Sequence, residues 1–181
     1  MKYSLPWLID LHARSETLDY LCFWGHQPRA DGQVGDNCLS QWWEAPFIVD
    51  QLPYPTAEHW MMAEKARHCG DEETLAKILA AKSPGAVKNL GRQVRNFDPA
   101  SWDEVKYEIV KTGNLHKFSQ QKALGDYLKH TAGCILVEAS PLDQIWGIGL
   151  AEDHPHITDP NHWPGQNLLG FALMEVRDTL T

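Results

Sequence analysis

A helix without a polar side must be enclosed by the rest of its domain, and residues 54–68 of this 181-residue chain read as one: Tyr-Pro-Thr-Ala-Glu-His-Trp-Met-Met-Ala-Glu-Lys-Ala-Arg-His. Thr56 is a good N-cap, and Pro55 ends whatever precedes it. From Ala57 onward, Ala57, Trp60, Met61, Met62, Ala63 and Ala66 surround the axis instead of forming one stripe. Charge on such a helix is expensive. At about 100° per residue, Glu58, Met62, Lys65 and Cys69 fall on one line, so the Glu58 carboxylate and the Lys65 ammonium point the same way from positions about 10 Å apart. That pairing suggests a site. Two plainer readings stand beside it: a first-turn carboxylate offsets the macrodipole, and Lys65 can snorkel to solvent. On spacing alone the structural reading prevails. His59 reads as a capping or half-buried histidine, because no second ligand stands at metal spacing on the helix.

The rest of the chain can do the enclosing. Forty-three per cent hydrophobic residues and eight tryptophans suffice for a good core, and the length favours one domain or one domain with appendages. No linker, low-complexity stretch or internal repeat divides it. The first apolar run is broken at Asp10, too early for a signal-peptide core, and nothing later approaches a membrane span, so a soluble intracellular protein is expected. Cys22, Cys38, Cys69 and Cys134 are widely spaced, which indicates neither a zinc site nor a disulfide framework. A net charge of −8 argues against non-specific coating of nucleic acid. The charge is uneven, however: seven of the sixteen basic residues lie between Lys65 and Arg95, a patch suited to a phosphorylated small molecule or to solvated helix faces.

In chain order, a short helix is predicted within 4–19, a strand from Leu21, and a mobile Gly/Pro/Asp loop over 25–37. Phe47-Ile-Val favours a strand bracketed by prolines. Asp71 caps a helix running to about Lys82, and Ser83-Pro84 restarts the chain. Asp98-Pro99 and Ser101-Trp-Asp-Glu104 both look like starts of a helix that Gly113 interrupts. A further helical pattern takes in Phe118, Leu124 and Leu128 and ends near Gly133. Cys134-Ile-Leu-Val-Glu is the best strand, and Asp143 to Leu150 is expected to continue it through a glycine-interrupted turn, where Gly147 and Gly149 let backbone approach closely. Residues 151–163 form a His/Asp/Pro loop. His154-x-His156 with His162 hints at metal, but without an ordered acidic or cysteine partner no metal is expected. Gly165-Gln-Asn167 leads into a last helix, Leu168 to about Leu180.

Several of these segments together resemble one family. Pro55-Thr-Ala-Glu58-His-Trp with Lys65-Ala66, Lys88-Asn-Leu-Gly91-Arg92, Trp102, Lys117-Phe118, Leu136-Val-Glu-Ala-Ser, Asp143-x-x-Trp146-Gly-x-Gly149, Trp163-x-Gly165-x-Asn167-Leu-Leu-Gly170 and Met174-x-Val-Arg177 look like the NADAR domain, or YbiA-like, family. The resemblance runs from Phe23 to Leu180. It implies an α+β fold, a single mostly helical domain over 23–181 with a few short strands, and leaves 1–22 as an N-terminal extension packed on it. It also implies hydrolysis of an N-glycosidic bond on a ribosyl or ADP-ribosyl compound without a cofactor. Family members include N-glycosidases of phosphoribosylamino-pyrimidine intermediates in riboflavin biosynthesis and enzymes that remove ADP-ribose from guanine bases. The family name records a proposed link to NAD.

Carried over residue by residue, the resemblance implies a catalytic carboxylate at Glu58 and overturns the structural reading of that residue. It implies pocket roles at Phe23, Lys65, Arg92, Trp102, Trp146, Gly147 and Asn167. The residue types suit the chemistry. Cleaving a ribosyl C–N bond leaves positive charge at the anomeric carbon, which a carboxylate stabilises while orienting water; tryptophan offers a flat surface to a base; lysine and arginine suit phosphate. Some family members carry an acid after Trp-Gly where this chain has Ile148, which leaves Asp143 as the second acidic candidate, either catalytic or capping its turn. Trp102 is either pocket or core, and Arg177 is structural. The partner implied is a nucleotide or ADP-ribosyl small molecule, including ADP-ribosylated nucleic acid, with no membrane. Two classes stay open: a hydrolytic N-glycosidase, and a non-catalytic NAD or ADP-ribose reader that keeps the pocket. Glu58 together with Trp146 favours hydrolysis.

Overall fold

Helix α2 (Ala57–His68) begins where Thr56 Oγ1 accepts the His59 N–H at 3.3 Å, and eight of its twelve residues are buried, Glu58 and His59 included. The structure, a computed structural model, describes residues 1–14, 17–30 and 32–180; residues 15, 16 and 31, within the helix and loop expected at 4–19 and 25–37, lie outside the described residues. The chain forms two compact units, Gln41–Gln121 and Met1–Ser40 with Lys122–Thr181.

In the first unit, α3 (Glu72–Ala80), α4 (Pro84–Gly91) and α5 (Pro99–Gln120) pack around α2. Asp71 accepts the Thr74 N–H and Ser83 the Ala86 N–H, as expected, and of the two starts read for α5 the structure takes Asp98, which accepts the Ala100 N–H, and leaves Ser101 inside the helix. Helix α3 stops at Ala80, two residues early, with Ala81 already extended (φ −69, ψ 149) ahead of the Ser83-Pro84 restart. Helix α5 corrects the sequence reading. It runs through Gly113 for 22 residues and takes in Phe118, and the break falls instead at Gln121. The glycine serves packing, because a Cβ there would collide with the indole of Trp60, whose Nε1–H donates to the Ile109 carbonyl at 2.8 Å. The expected strand is a hairpin of β1 (Phe47–Val49) and β2 (Leu52–Tyr54), turned by Asp50 and Gln51 at φ 48 and 66, the two positive angles of a type I′ turn.

The second unit is built on a parallel pair, β3 (Asp19–Phe23) and β4 (Cys134–Glu138), in register from Asp19↔Cys134 to Phe23↔Glu138. Helix α7 (Leu168–Leu180) covers β4 and touches α6 (Lys122–His130). Helix α1 (Leu5–Ala13) is fastened to α7 by the edge-on Trp7–Phe171 contact at 6.5 Å and by Lys2 and Tyr3, which both donate to Asp178. Arg177 is structural, as expected: its Nη1 donates to the Thr131 and Cys134 carbonyls at 2.6 and 3.0 Å. Residues 143–150 are turns and bends, not the expected continuation of the strand. The fold class is α+β, half helical, with four short strands among the described residues. None of the described helices is long and apolar enough to cross a membrane.

Candidate functional site

Within the α2 unit, Glu58 is 3% exposed in the first helical turn, and its backbone N–H donates to the Gln41 carbonyl at 3.0 Å. Gln41 is itself buried, and its Oε1 accepts Asn114 Nδ2 at 2.8 Å, while the same Nδ2 donates to the Val110 carbonyl at 2.9 Å. These bonds assign both amide orientations. They leave Gln41 Nε2 and Asn114 Oδ1 as a buried donor and a buried acceptor with no hydrogen-bond partner among the described residues. Unsatisfied buried amides are rare and suit a polar ligand. Lys117 follows Asn114 by three positions and is wholly buried. Sequence reasoning singled out neither Gln41 nor Asn114; the available signal was the weak helix-forming pair Gly113-Asn114 in the middle of a 22-residue helix.

His59 is held between the Thr56 hydroxyl (Nδ1, 2.8 Å) and the Ala81 carbonyl (Nε2, 3.3 Å), so the neutral tautomer carries its proton on Nε2. Burial lowers its pKa below the ordinary 6.5. Lys65, half-buried, donates to the Gly91 carbonyl at 2.8 Å and lies 4.0 Å from the centre of the Phe97 ring, and burial likewise lowers its pKa. Arg92 is the C-cap residue of α4, next to that carbonyl; it is exposed, and its nearest side-chain bond is a long one of 3.5 Å to Asn89. The structure therefore brings Lys65 and Arg92 to the same end of α4. Trp102 is 9% exposed, with its ring tilted against His68 at 6.3 Å, on the inner side of α5.

In the unit of the chain termini, Asp143 Oδ1 accepts the N–H groups of Ile145 and Trp146, both at 2.8 Å, and its carbonyl accepts the Gly149 N–H. Asp143 thus caps the turn that carries Trp146, whose ring is partly exposed. Gly147 is buried where a Cβ would stand 2.9 Å from the Glu138 carbonyl oxygen. Its own carbonyl accepts the Asn167 N–H at 3.1 Å. Asn167 is wholly buried at φ 55, and its side chain imitates a neighbouring strand: Oδ1 accepts the Glu138 N–H at 3.0 Å and Nδ2 donates to the Leu136 carbonyl at 2.9 Å. Phe23, at 1% exposure, lies in the core at the end of β3. Among the described residues, one group has the composition of a metal site: His156, Asp159 and His162, whose ligand atoms lie within 4.8 Å of one another.

The α2 unit thus carries a buried carboxylate in the first turn of its enclosed helix, and the other unit carries a glycine-rich turn pinned by Asn167, within a mostly helical α+β fold. The chain belongs to the NADAR domain family, whose model matches residues 22–181. It is similar to N-glycosidase R617 of Acanthamoeba polyphaga mimivirus, with 41% identity over 90% of this chain and 97% of that protein. It is similar as well to N-glycosidase YbiA of Escherichia coli, with 32% identity over 75% of this chain and 76% of that protein. The solved NMR structure of E. coli YbiA superposes with a TM-score of 0.71 at 28% identity, covering 91% of this chain and 87% of that one.

Proposed function

We propose that this protein is a hydrolytic N-glycosidase acting on a small ribosyl or ADP-ribosyl compound, with Glu58 as its catalytic carboxylate. The observation that carries the reading is the 3% exposure of Glu58 on an enclosed helix, beside the Gln41–Asn114 pair, in a chain similar over most of its length to proteins named N-glycosidases. The C–N bond breaks with its electron pair leaving on the base, and positive charge gathers at the anomeric carbon and ring oxygen. Glu58 stabilises that charge and takes a proton from the attacking water. The water oxygen becomes the new hydroxyl, and the proton passes on to the departing base. Water is the only co-reactant, so no cofactor enters the reaction.

Lys65 and Arg92 take the phosphate side, and Trp146 stacks on the base. Asp143 acts first by capping the Trp146 turn and is the second acidic candidate for proton transfer. Phe23, Trp102, Gly147 and Asn167 take pocket roles by the same resemblance, Gly147 and Asn167 through the turn that carries Trp146. The substrate classes proposed are phosphoribosylamino-pyrimidines of the riboflavin pathway and ADP-ribosylated guanine, free or in nucleic acid. A cytoplasmic setting fits the four cysteines, none of which joins a disulfide. The second reading, a non-catalytic NAD or ADP-ribose binder, has less support, since stacking and phosphate contacts suffice for binding without a buried carboxylate.

The test is incubation with ADP-ribosylated guanine DNA, phosphoribosylamino-pyrimidines and NAD, with chromatography of released base and sugar. Release from at least one, abolished in Glu58→Gln, is the expected result. Saturable binding without release from any of them would establish the reader instead.

A further inference from the structure

Between α4 and α5 the chain runs through residues 92–98 as a loop without helix or strand, and both of its ends meet Lys65, whose Nζ donates to the Gly91 carbonyl at 2.8 Å and lies 4.0 Å from the centre of the Phe97 ring. Arg92 stands beside the first of those contacts, so the loop closes around the corner assigned above to phosphate. Its middle is held by a residue from the start of α3. Asp71, 1% exposed, accepts the Arg95 backbone N–H on Oδ2 at 2.8 Å and the Arg95 guanidinium on Oδ1 at 2.6 Å. The same carboxylate accepts the Thr74 N–H at 3.1 Å and the Thr74 hydroxyl at 2.7 Å, and the Asp71 N–H donates to the Ala66 carbonyl of α2 at 2.9 Å. One residue thereby joins the end of α2, the start of α3 and the loop.

We propose that Asp71 is a positioning residue for the phosphate-side corner, holding through Arg95 the loop that places Arg92 and Phe97 around Lys65; the proposal rests on the phosphate reading of Lys65 and Arg92. Capping α3 needs one side-chain oxygen, which serine, threonine or asparagine supplies as well as aspartate. Asp71 instead accepts four bonds on its two oxygens, and two of them come from a residue 24 positions away. The bond from the Arg95 amide fixes the path of the loop, because a backbone N–H outside helix and strand must find its acceptor elsewhere. The guanidinium bond adds a charge-assisted contact to the same carboxylate. Arg95 spends its charge on Asp71 and, at 3.2 Å, on Glu73, whereas Lys65 and Arg92 bond to the neutral oxygens of Gly91 and Asn89. The anchor and the anion-facing cations are therefore different residues of one loop and its neighbour.

The test is calorimetric titration of the full chain with ADP-ribose and with ribose 5-phosphate, for the parent, Asp71→Asn, Arg92→Ala and the double variant. Asparagine keeps an oxygen for the Thr74 cap but sets an N–H group against the Arg95 amide. Asp71→Asn should weaken both ligands roughly three- to tenfold, and in the Arg92→Ala background the same change should cost less than about twofold, because its effect passes through Arg92. On a substrate that the chain cleaves, the loss should fall on KM and not on kcat. Arg95→Gln, a change to a side chain 59% exposed that leaves both Thr74 bonds in place, should move affinity the same way by a smaller factor. In the unmutated chain, the amide NMR signals of Arg95 and Asn96 should shift on adding ADP-ribose, a readout independent of whether any variant folds. Unchanged affinity in Asp71→Asn and Arg95→Gln, equal losses with and without Arg92, or unmoved Arg95 and Asn96 signals would overturn the role of Asp71 and leave the glycosidase reading standing. These losses without hydrolysis of any substrate would overturn that reading and keep the role, and a parent that binds neither ligand would overturn the phosphate corner and the role with it.

Discussion

Lys65 reaches from α2 to the last turn of α4, where its Nζ donates to the Gly91 carbonyl at 2.8 Å and faces the Phe97 ring at 4.0 Å. A lysine so placed satisfies one of the carbonyls that a helix end leaves open and sets positive charge beside Arg92. Structural support and a phosphate-side charge are both consistent with it, and they predict different kinetics.

Arg92, exposed at the same helix end, makes its proposed phosphate contact in ground and transition states alike. Arg92→Ala should therefore raise KM and leave kcat nearly unchanged on a phosphorylated substrate, with a smaller penalty on an analogue lacking the 5′ phosphate. Lys65→Ala should show the same split and also lose about 1–3 kcal/mol of stability by denaturant titration, for the carbonyl bond and the ring contact. Equal kinetic penalties with and without phosphate would remove the phosphate role from both.

Glu58→Gln is nearly isosteric in a buried position, so the fold and ligand binding should survive. Turnover should fall at least about a hundredfold, the scale of losing a positioned acid or base. Single-turnover rates and calorimetric binding on the same preparation check both halves; turnover like the parent's takes Glu58 out of the reaction.

Trp146→Ala should weaken ligand affinity by roughly 1–3 kcal/mol, the range for base–aromatic stacking, with a modest change in Tm because its ring is partly exposed. A large Tm loss with unchanged affinity per folded molecule would assign the ring to the core. Asp143→Ala, which releases the two amides that shape the Trp146 turn, should move affinity in the same direction.

Asn167→Ala leaves the Leu136 carbonyl and the Glu138 N–H of β4 without partners and places alanine at φ 55. Each orphaned buried group costs about 1–3 kcal/mol. A stability loss of roughly 2–4 kcal/mol is expected in urea titration, and a loss below about 1 kcal/mol would mean the bonds are not formed in solution.

His59 makes stability depend on pH. Its folded pKa lies below 6.5, so under acid the unfolded chain takes up a proton that the folded chain refuses. Its contribution is complete above pH 6.5 and is lost as pH falls from there toward the lowered value. The slope is at most about 1.4 kcal/mol per pH unit. His59→Gln should flatten that part of the stability–pH curve.

Local signals in the sequence determined what depends on a few neighbouring residues. Thr56, Asp71, Ser83 and Asp98 start their helices because a side-chain oxygen next to open N–H groups acts within one turn. The all-round apolar pattern of α2 foretold that Glu58 would be buried, and Leu136-Val-Glu lies in a strand as its residue types require. What needed a partner distant in sequence was decided by tertiary structure alone. Gly113 looks like a helix breaker until Trp60 is seen lying against it. Asp50-Gln51 turns a hairpin without a glycine because Phe47 and Tyr54 stack across it at 5.7 Å. Asn167 spends its side chain on β4, 29 and 31 residues away, and Gln41 meets Asn114 across 73 residues. Likewise His156 stacks on His162 with ring centres 4.2 Å apart, nearer than His154 at 5.6 Å, because a three-residue turn rather than sequence proximity sets which side chains share a face.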